Sequence, residues 1–307
     1  MTLSRRRFLA ISAASFAWAG TGYAVPLHRW QGTALGARAT ITLSHPEAGR
    51  ITLAARAEIE RLEEIFSLYR RTSALSRLNA TGRLDTPPFE LLDCLTLAAA
   101  AHRATGGLFD PTVQPLWDLY ARSYSAGHAP SETGIALARA HGTWTDLRYD
   151  ASAITLRPGM ALTLNGIAQG YIADRIARLL QAEGLSDILI DTGELRALGG
   201  DPKGGDWPVT LASPTRPRIG LRDRALASSA PLGTTFDAGG TAGHILDPRS
   251  GRPAEPLWRL ISVSADSAAM ADALSTAMCL MPVGDIHAAA AAIEGAEVVH
   301  LSAFDRS

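Results

Sequence analysis

Four segments of the chain carry apolar residues at helical spacing. In the first, Leu62 and Ile65 lie about one turn apart within a strongly charged stretch, which is the pattern of an amphipathic helix. Each of the other three patterns is followed by a residue that commonly ends a helix, namely Gly106, Gly184 and Pro282. The predicted helices cover residues 53–71, residues 89–105, the stretch from the Asn165-Gly166 turn to Gly184, and residues 267–281.

Short runs of alternating or β-branched residues predict strands between these helices. Strands and helices interleave irregularly, so we predict an α+β fold with a mixed or antiparallel sheet. No linker rich in proline or serine follows residue 30, and we therefore expect one domain over residues 25–307. The predicted strands cover residues 37–43, 153–157, 161–164, 187–191, 209–212, 224–228, 244–247 and 258–264.

The N-terminus has the pattern of a twin-arginine signal peptide. Arg5 and Arg6 precede a weakly apolar run over residues 11–24, which ends in small residues. The alternatives are a membrane anchor or a first helix of the fold, but the run is shorter than the roughly 20 residues that span a bilayer. We therefore predict that residues 1–24 are a signal peptide, with cleavage after either Ala24 or Ala19, and that the mature protein is periplasmic.

The composition indicates a globular protein and excludes some partners. Hydrophobic residues make up 47% of the 307 residues and charged residues 19%, so a sizeable core can form. The net charge is −1, Lys203 is the only lysine and the arginines are scattered, so we predict no nucleic-acid partner. Cys94 and Cys279 lie in apolar helical patterns, which favours two buried thiols over a disulfide.

Two motifs offer chemistry for a phosphorylated ligand. The sequence has neither a G-x-G-x-x-G fingerprint nor a Walker loop. The Asn165–Gly170 turn has two glycines before a helix, where backbone amides can meet a phosphate, although an ordinary turn explains it equally well. Asp272 and Thr276 are four residues apart, so they share a helix face and can offer oxygen atoms to one hard cation. The alternative is a polar stripe on a surface helix.

Two further segments carry polar groups in suggestive positions. His244 and Asp247 are three residues apart on an extended segment before a turn, where both can also be purely structural. Residues 66–79 end the first helix in hydroxyl and amide groups, which can cap the helix or line a pocket. Asp110 precedes Pro111 and can cap a helical turn.

Taken together and in this order, these segments resemble the ApbE family of FAD:protein FMN transferases. The matching stretches are residues 66–79, 106–113, 164–199, 227–229, 244–253 and 262–276. The resemblance implies a T-fold-like α+β architecture with two lobes around a flavin cleft. It also implies transfer of FMN from the substrate FAD to a threonine or serine hydroxyl of an exported or membrane-anchored flavoprotein, with release of AMP.

The resemblance also implies roles for individual residues. His244 falls where a catalytic histidine is expected, and we predict that it is the general base and that Asp247 orients it. The chain departs from the family pattern at Gln169, where members have lysine, and at Thr192-Gly193-Glu194, where they have Gly-Gly-Asp. The implied Mg²⁺ ligands are the Ala168 carbonyl, Asp272 and Thr276, and the implied FAD-binding residues are Tyr69, Asp110, Gly166, Ala168, Gln169, Ser228 and His244.

Gln169 leaves two other functions open. If the loss of a positive charge near the pyrophosphate disables transfer, the protein binds or stores FAD without modifying a partner. If water takes the place of the acceptor hydroxyl, the same site is an FAD pyrophosphatase.

Overall fold

The computed structural model describes residues 27–304, which form eight α-helices and fourteen β-strands. The helices are α1 (Ala48–Phe66), α2 (Ala74–Thr81), α3 (Phe89–Ala104), α4 (Gln114–Ser125), α5 (Glu132–Ala140), α6 (Ala168–Ala182), α7 (Ala268–Met278) and α8 (Val283–Ala291). The strands are β1 (His28–Ala34), β2 (Ala37–Leu43), β3 (Arg83–Asp85), β4 (Arg148–Tyr149), β5 (Ala153–Thr155), β6 (Ile188–Asp191), β7 (Leu195–Leu198), β8 (Trp207–Thr210), β9 (Arg218–Leu221), β10 (Ala225–Ser229), β11 (Leu246–Asp247), β12 (Arg252–Pro253), β13 (Trp258–Ala265) and β14 (Glu297–Ala303). The predicted signal peptide, residues 1–24, lies outside the described residues.

A seven-stranded sheet forms the centre of the molecule. Its order is β1-β2-β6-β7-β10-β13-β14, and every neighbouring pair is antiparallel. Smaller sheets are formed by β3-β5-β4, by β8-β9 and by β11-β12. The predicted α+β class with an antiparallel sheet is therefore confirmed.

The two faces of the central sheet are covered by different layers. Because side chains alternate along a strand, Ile188 and Ile190 of β6 join the main core with the helices, whereas Leu189 joins a second core. That second core lies against the β8-β9 hairpin and contains its Trp207 and Val209. The main core draws most of its helical residues from α1, α3, α6 and α7.

Helix α7 packs against α6 more closely than side chains normally permit. A Cβ atom on Gly170 of α6 would lie 2.2 Å from the carbonyl oxygen of Ala268, so only glycine fits at this crossing. Asp174, one turn further along α6, accepts hydrogen bonds from the backbone amides of Ala268 and Ala269 at 2.9 and 3.0 Å and from the Ser267 hydroxyl at 2.8 Å. The start of α7 is therefore fixed to α6.

The sequence located most of the long elements and missed several short ones. All four predicted helices are present, but the first spans Ala48–Phe66, so Tyr69 lies beyond its end. The predicted strand at 161–164 is wrong. The side-chain amide of Asn79 forms hydrogen bonds with both the N–H and the carbonyl of Leu162, at 2.8 Å each, so neither group is available for pairing with a strand. Elements that the patterns did not indicate include α2, α4, α5, β1, β7, β9 and β14.

The two cysteines are buried and not bonded to each other, as predicted. Burial raises the pKa of both thiols. In the part of the chain from residue 27 to 304, no helix combines the length and the apolar character that crossing a membrane requires.

Candidate functional site

A cavity of about 210 Å³ lies where the start of α6, the second half of α7, the β6–β7 turn and the end of β10 meet. Eight of the ten predicted site residues line it. Ala168 and Asp247 do not, so their predicted roles have no support from the cavity walls. The eight lining residues are Tyr69, Asp110, Gly166, Gln169, Ser228, His244, Asp272 and Thr276.

The loop before α6 approaches α7 closely at a glycine. A Cβ atom on Gly166 would lie 3.2 Å from the hydroxyl oxygen of Thr276 and 3.5 Å from the ring of Phe109, so a larger residue would crowd the cavity. The amides of Ile167 and Ala168 both donate to the Leu164 carbonyl, at 3.0 and 2.7 Å. The expectation that the first amides of this helix meet a phosphate is therefore wrong for these two.

Asp272 is enclosed by the protein and incompletely bonded. Its side chain lies on α7, the residue is only 3% exposed, and its carboxylate accepts a hydrogen bond from the backbone amide of Gly170. Its Oδ2 atom is buried without a hydrogen-bond partner. Burial raises the pKa of this carboxyl group to about 8. The alternative of a polar stripe on a surface helix is excluded, because α7 is buried along nearly its whole length.

Hydroxyl groups extend the polar surface next to Asp272. Thr276 follows one turn later on α7, and its Oγ1 atom is 3.3 Å from the hydroxyl of Ser229. Ser229 is in turn 2.8 Å from the hydroxyl of Ser275. Ser229 lines the cavity as well, so this wall presents two adjacent hydroxyl oxygens beside the carboxylate.

Glu194 is a cavity residue that the sequence analysis did not assign to the site. It lies on the β6–β7 turn, and its carboxylate accepts a hydrogen bond from the backbone amide of Ser228. Burial raises the pKa of this carboxyl group well above its ordinary value, and the negative charges of Asp272 and Asp191 raise it further. The available signal was the acidic residue at the end of Thr192-Gly193-Glu194, at the position where the family has aspartate.

Gln169 lies against the same turn. Gly193 has a φ of 105°, which favours glycine. A Cβ atom there would be 2.7 Å from the amide nitrogen of the Gln169 side chain, so that side chain would have to move. The hydroxyl of Thr192 donates a hydrogen bond to the backbone carbonyl of Gln169 at 2.9 Å. Among the described residues that line the cavity there is neither lysine nor arginine.

His244 is held by a backbone carbonyl and not by Asp247. Its Nδ1 atom is 3.0 Å from the Thr234 carbonyl oxygen, which can only accept, so Nδ1 carries the hydrogen and Nε2 is left as an acceptor. Burial lowers the pKa of the ring, which favours the neutral form. Asp247 instead accepts from the side chain and backbone of Arg249, both at 2.8 Å. The predicted orienting role of Asp247 is therefore wrong. The backbone carbonyl of Thr234 orients the His244 ring instead.

Asp110 and Tyr69 lie at other edges of the cavity. Asp110 caps the short 3-10 turn over Pro111–Val113, as predicted, by accepting from the backbone amide and hydroxyl of Thr112 at 2.8 and 2.6 Å. Tyr69 is 61% exposed although it lines the cavity, which places it near the opening.

Comparison with known proteins identifies the group to which this architecture belongs. The model of the ApbE family matches residues 35–300. The chain belongs to the ApbE family. A FAD:protein FMN transferase of Klebsiella pneumoniae is 30% identical over 243 residues, which are 73% of this chain and 73% of that protein. The protein with the same description from Escherichia coli K12 is 26% identical over 236 residues, or 71% of this chain and 67% of that protein.

Solved structures of family members have the same fold. The apo form of the flavinyl transferase ApbE from Pseudomonas stutzeri superposes with a TM-score of 0.78 at 26% identity, covering 88% of this chain and 89% of that one. The ApbE protein of Thermotoga maritima gives a TM-score of 0.79 at 25% identity and covers 90% and 94% of the two chains. The predicted ApbE architecture is therefore confirmed.

The donor atoms of the cavity suit a hard cation bound with the help of a ligand. No group of three or more His, Cys, Asp or Glu side chains within residues 27–304 is arranged to hold a metal. Mg²⁺, however, is usually bound by one or two carboxylates, with water and substrate phosphates completing its six oxygen ligands. The unpartnered Oδ2 of Asp272 and the hydroxyl of Thr276 fit that description.

Proposed function

We propose that this chain is a FAD:protein FMN transferase that moves FMN from FAD to a threonine or serine hydroxyl of another protein. The names of several relatives that align with more than two thirds of the chain support the activity. The cavity supports the chemistry, because it brings a neutral histidine and a buried carboxylate to one surface.

The proposed reaction is a displacement at the phosphorus on the FMN side of the pyrophosphate. The acceptor oxygen forms a bond to that phosphorus, the bridging P–O bond breaks, and AMP leaves with the electron pair. The hydroxyl proton goes to Nε2 of His244, which the Thr234 carbonyl leaves free to accept it. Since burial lowers the pKa of His244, the ring is neutral and ready to accept at neutral pH.

Asp272, Thr276 and the carbonyl of Ala168 are the proposed Mg²⁺ ligands. A divalent cation there would neutralise negative charge that develops on the phosphoryl oxygens. The observation that carries the proposal is the buried Oδ2 of Asp272, which lacks a protein partner and belongs to a residue of the cavity wall. A buried acceptor without a partner costs about 1–3 kcal/mol, and a ligand would remove that cost.

Intact-mass spectrometry of an acceptor domain tests the activity. The enzyme is incubated with FAD, MgCl₂ and a purified periplasmic flavoprotein domain, and we expect the mass of the domain to increase by that of an FMN group. The same mixture without MgCl₂ is the control. Free FMN and AMP without a modified domain would show a pyrophosphatase, and bound but intact FAD would show a storage protein; either result contradicts the proposal.

We also propose that the enzyme is exported through the twin-arginine route to act on an exported or membrane-anchored acceptor. The support is the Arg5-Arg6 pair before the apolar run. Replacing both arginines by lysine keeps the charge and removes the motif, so the variant should stay in the cytoplasm on fractionation. An unchanged periplasmic fraction would contradict the assignment.

A further inference from the structure

Glu194 lies at the cavity without a role in the proposed mechanism. The turn after β6 carries it, and the backbone amide of Ser228 holds one side of its carboxylate. Glu194 and Asp272 both line the cavity, and they are only 9% and 3% exposed. Two acidic side chains from different elements, β6–β7 and α7, therefore face the same small space.

The charges around this space do not balance. The described residues that line the cavity include three carboxylic acids, Asp110, Glu194 and Asp272, but neither lysine nor arginine. The pyrophosphate of the proposed substrate adds further negative charge. Like charges placed together in a poorly hydrated site are unfavourable unless a proton or a cation compensates them. The Oδ2 atom of Asp272 is buried and has no hydrogen-bond partner, which independently indicates where a cation would bind.

We infer that Glu194 is a second carboxylate of the cation site, and that Glu194 and Asp272 together hold one divalent cation between the β6–β7 turn and α7. This inference rests on the proposed function, because that function supplies the cation. Two carboxylates from the protein suit Mg²⁺, which is often bound through one or two such groups. The hydroxyl of Thr276 lies on the same wall as a neutral third donor.

A site with two protein carboxylates has a consequence for the order of binding. A single carboxylate with neutral donors would depend on substrate phosphates for most of its attraction to the metal. With Glu194 in the site, the protein itself offers two acidic oxygen ligands before FAD arrives, so the cation displaces their protons and binds first. The bound cation then provides the positive charge that Gln169, as a neutral residue, does not.

Titration of the full-length mature protein with Mn²⁺ alone, without FAD, tests both statements. The signal of free Mn²⁺ in electron paramagnetic resonance reports the unbound ion, and we expect one ion bound per chain. Glu194→Gln should raise the Kd at least tenfold, because the amide keeps an oxygen for the Ser228 amide but loses the charge. Glu194→Asp keeps the charge on a shorter arm and should fall between the two.

Asp191→Asn is the matched control. Asp191 is the last residue of β6, is buried beside the same turn and accepts from the backbone amide of Gly193 at 3.0 Å, but it does not line the cavity. We expect its Kd to change less than threefold. Circular dichroism melting confirms that each variant is folded before titration.

The outcomes separate this inference from the proposed function. If Asp272→Asn loses Mn²⁺ and Glu194→Gln binds it like the wild type, the role of Glu194 is refuted and the metal site stands. If Asp272→Asn itself binds Mn²⁺ like the wild type, the proposed metal site is refuted. Absence of binding to the wild type without FAD would overturn the cation-first order.

Discussion

Two buried aspartates on α6 and α7 show how similar surroundings serve different purposes. Asp174 is 7% exposed and Asp272 is 3% exposed. Asp174 accepts three hydrogen bonds from the start of α7, and Arg196 lies 3.5 Å from it. Asp272 has one backbone donor and one oxygen without a partner.

The difference teaches that burial of a charge does not identify a functional site, whereas unmet bonding capacity on the wall of a cavity points to one. Burial raises the pKa of both carboxyl groups. For Asp174, the protein supplies donors at the N-terminus of α7, where the helix dipole also favours a negative charge. For Asp272, the protein supplies a cavity instead. We therefore expect Asp174 to stabilise the fold and Asp272 to bind a ligand at some cost to stability.

The largest expected effect is that of Asp272→Asn on transfer. We expect the rate of acceptor modification to fall by about a thousandfold, which corresponds to about 4 kcal/mol of activation free energy, because a proposed metal ligand loses its charge. The melting temperature should be unchanged or higher, since a buried, incompletely bonded acidic group is removed. Rate and melting curve are measured on the same preparation, and a large loss of both would break the contrast with Asp174.

Asp174→Ala is expected to have the converse effect. Three donors at the start of α7 lose their acceptor, and the free energy of unfolding should fall by about 3 kcal/mol in urea denaturation. FMN transfer by the fraction that remains folded should change much less, because Asp174 does not line the cavity. Asp174→Asn keeps one acceptor oxygen and serves as the milder control. Unaltered stability of the alanine variant would contradict the structural role.

The raised pKa of Asp272 predicts how stability depends on pH. The pKa of this carboxyl group is near 3.8 in the unfolded protein and about 8 in the folded protein. Between these two pH values the folded protein therefore binds more protons than the unfolded one. The metal-free protein should therefore lose stability as pH rises through this range. Asp272→Asn should lose less stability over the same range, and Mg²⁺ should restore stability to the wild type at pH 8. Parallel curves for the two proteins, measured by urea denaturation, would show that Asp272 is already ionised when folded.

The smallest expected effect is that of Gln169→Lys. Its side chain lies beside Gly193, next to Glu194, so a lysine would bring a positive charge to an acidic wall. FAD binding should tighten by about 1 kcal/mol, the scale for a partly exposed charge pair, and the gain should shrink at high salt. Fluorescence titration at two salt concentrations measures it. A loss of affinity independent of salt would instead show that the site depends on the amide of Gln169.

Local contexts and the resemblance to the ApbE family together predicted ten site residues, of which eight line the cavity. Asp272 and Thr276 share a helix face by spacing alone, and Gly166 precedes a helix in a glycine-rich turn. The long helices and the antiparallel α+β class also follow from local periodicity. The short elements were missed, since α2, α5 and β9 have too few residues for a periodic pattern.

Tertiary structure decided which of these residues face one another and which partners they lack. Asp247 is three residues from His244 in the sequence. In the fold, however, Asp247 accepts a hydrogen bond from Arg249, and His244 donates one to the carbonyl of Thr234. Glu194 has no local pattern of its own and reaches Asp272 only because β6 and β7 bring their turn beside α7. Local spacing fixes helix faces and turns, whereas hydrogen-bond partners and buried charge depend on segments that are distant in sequence.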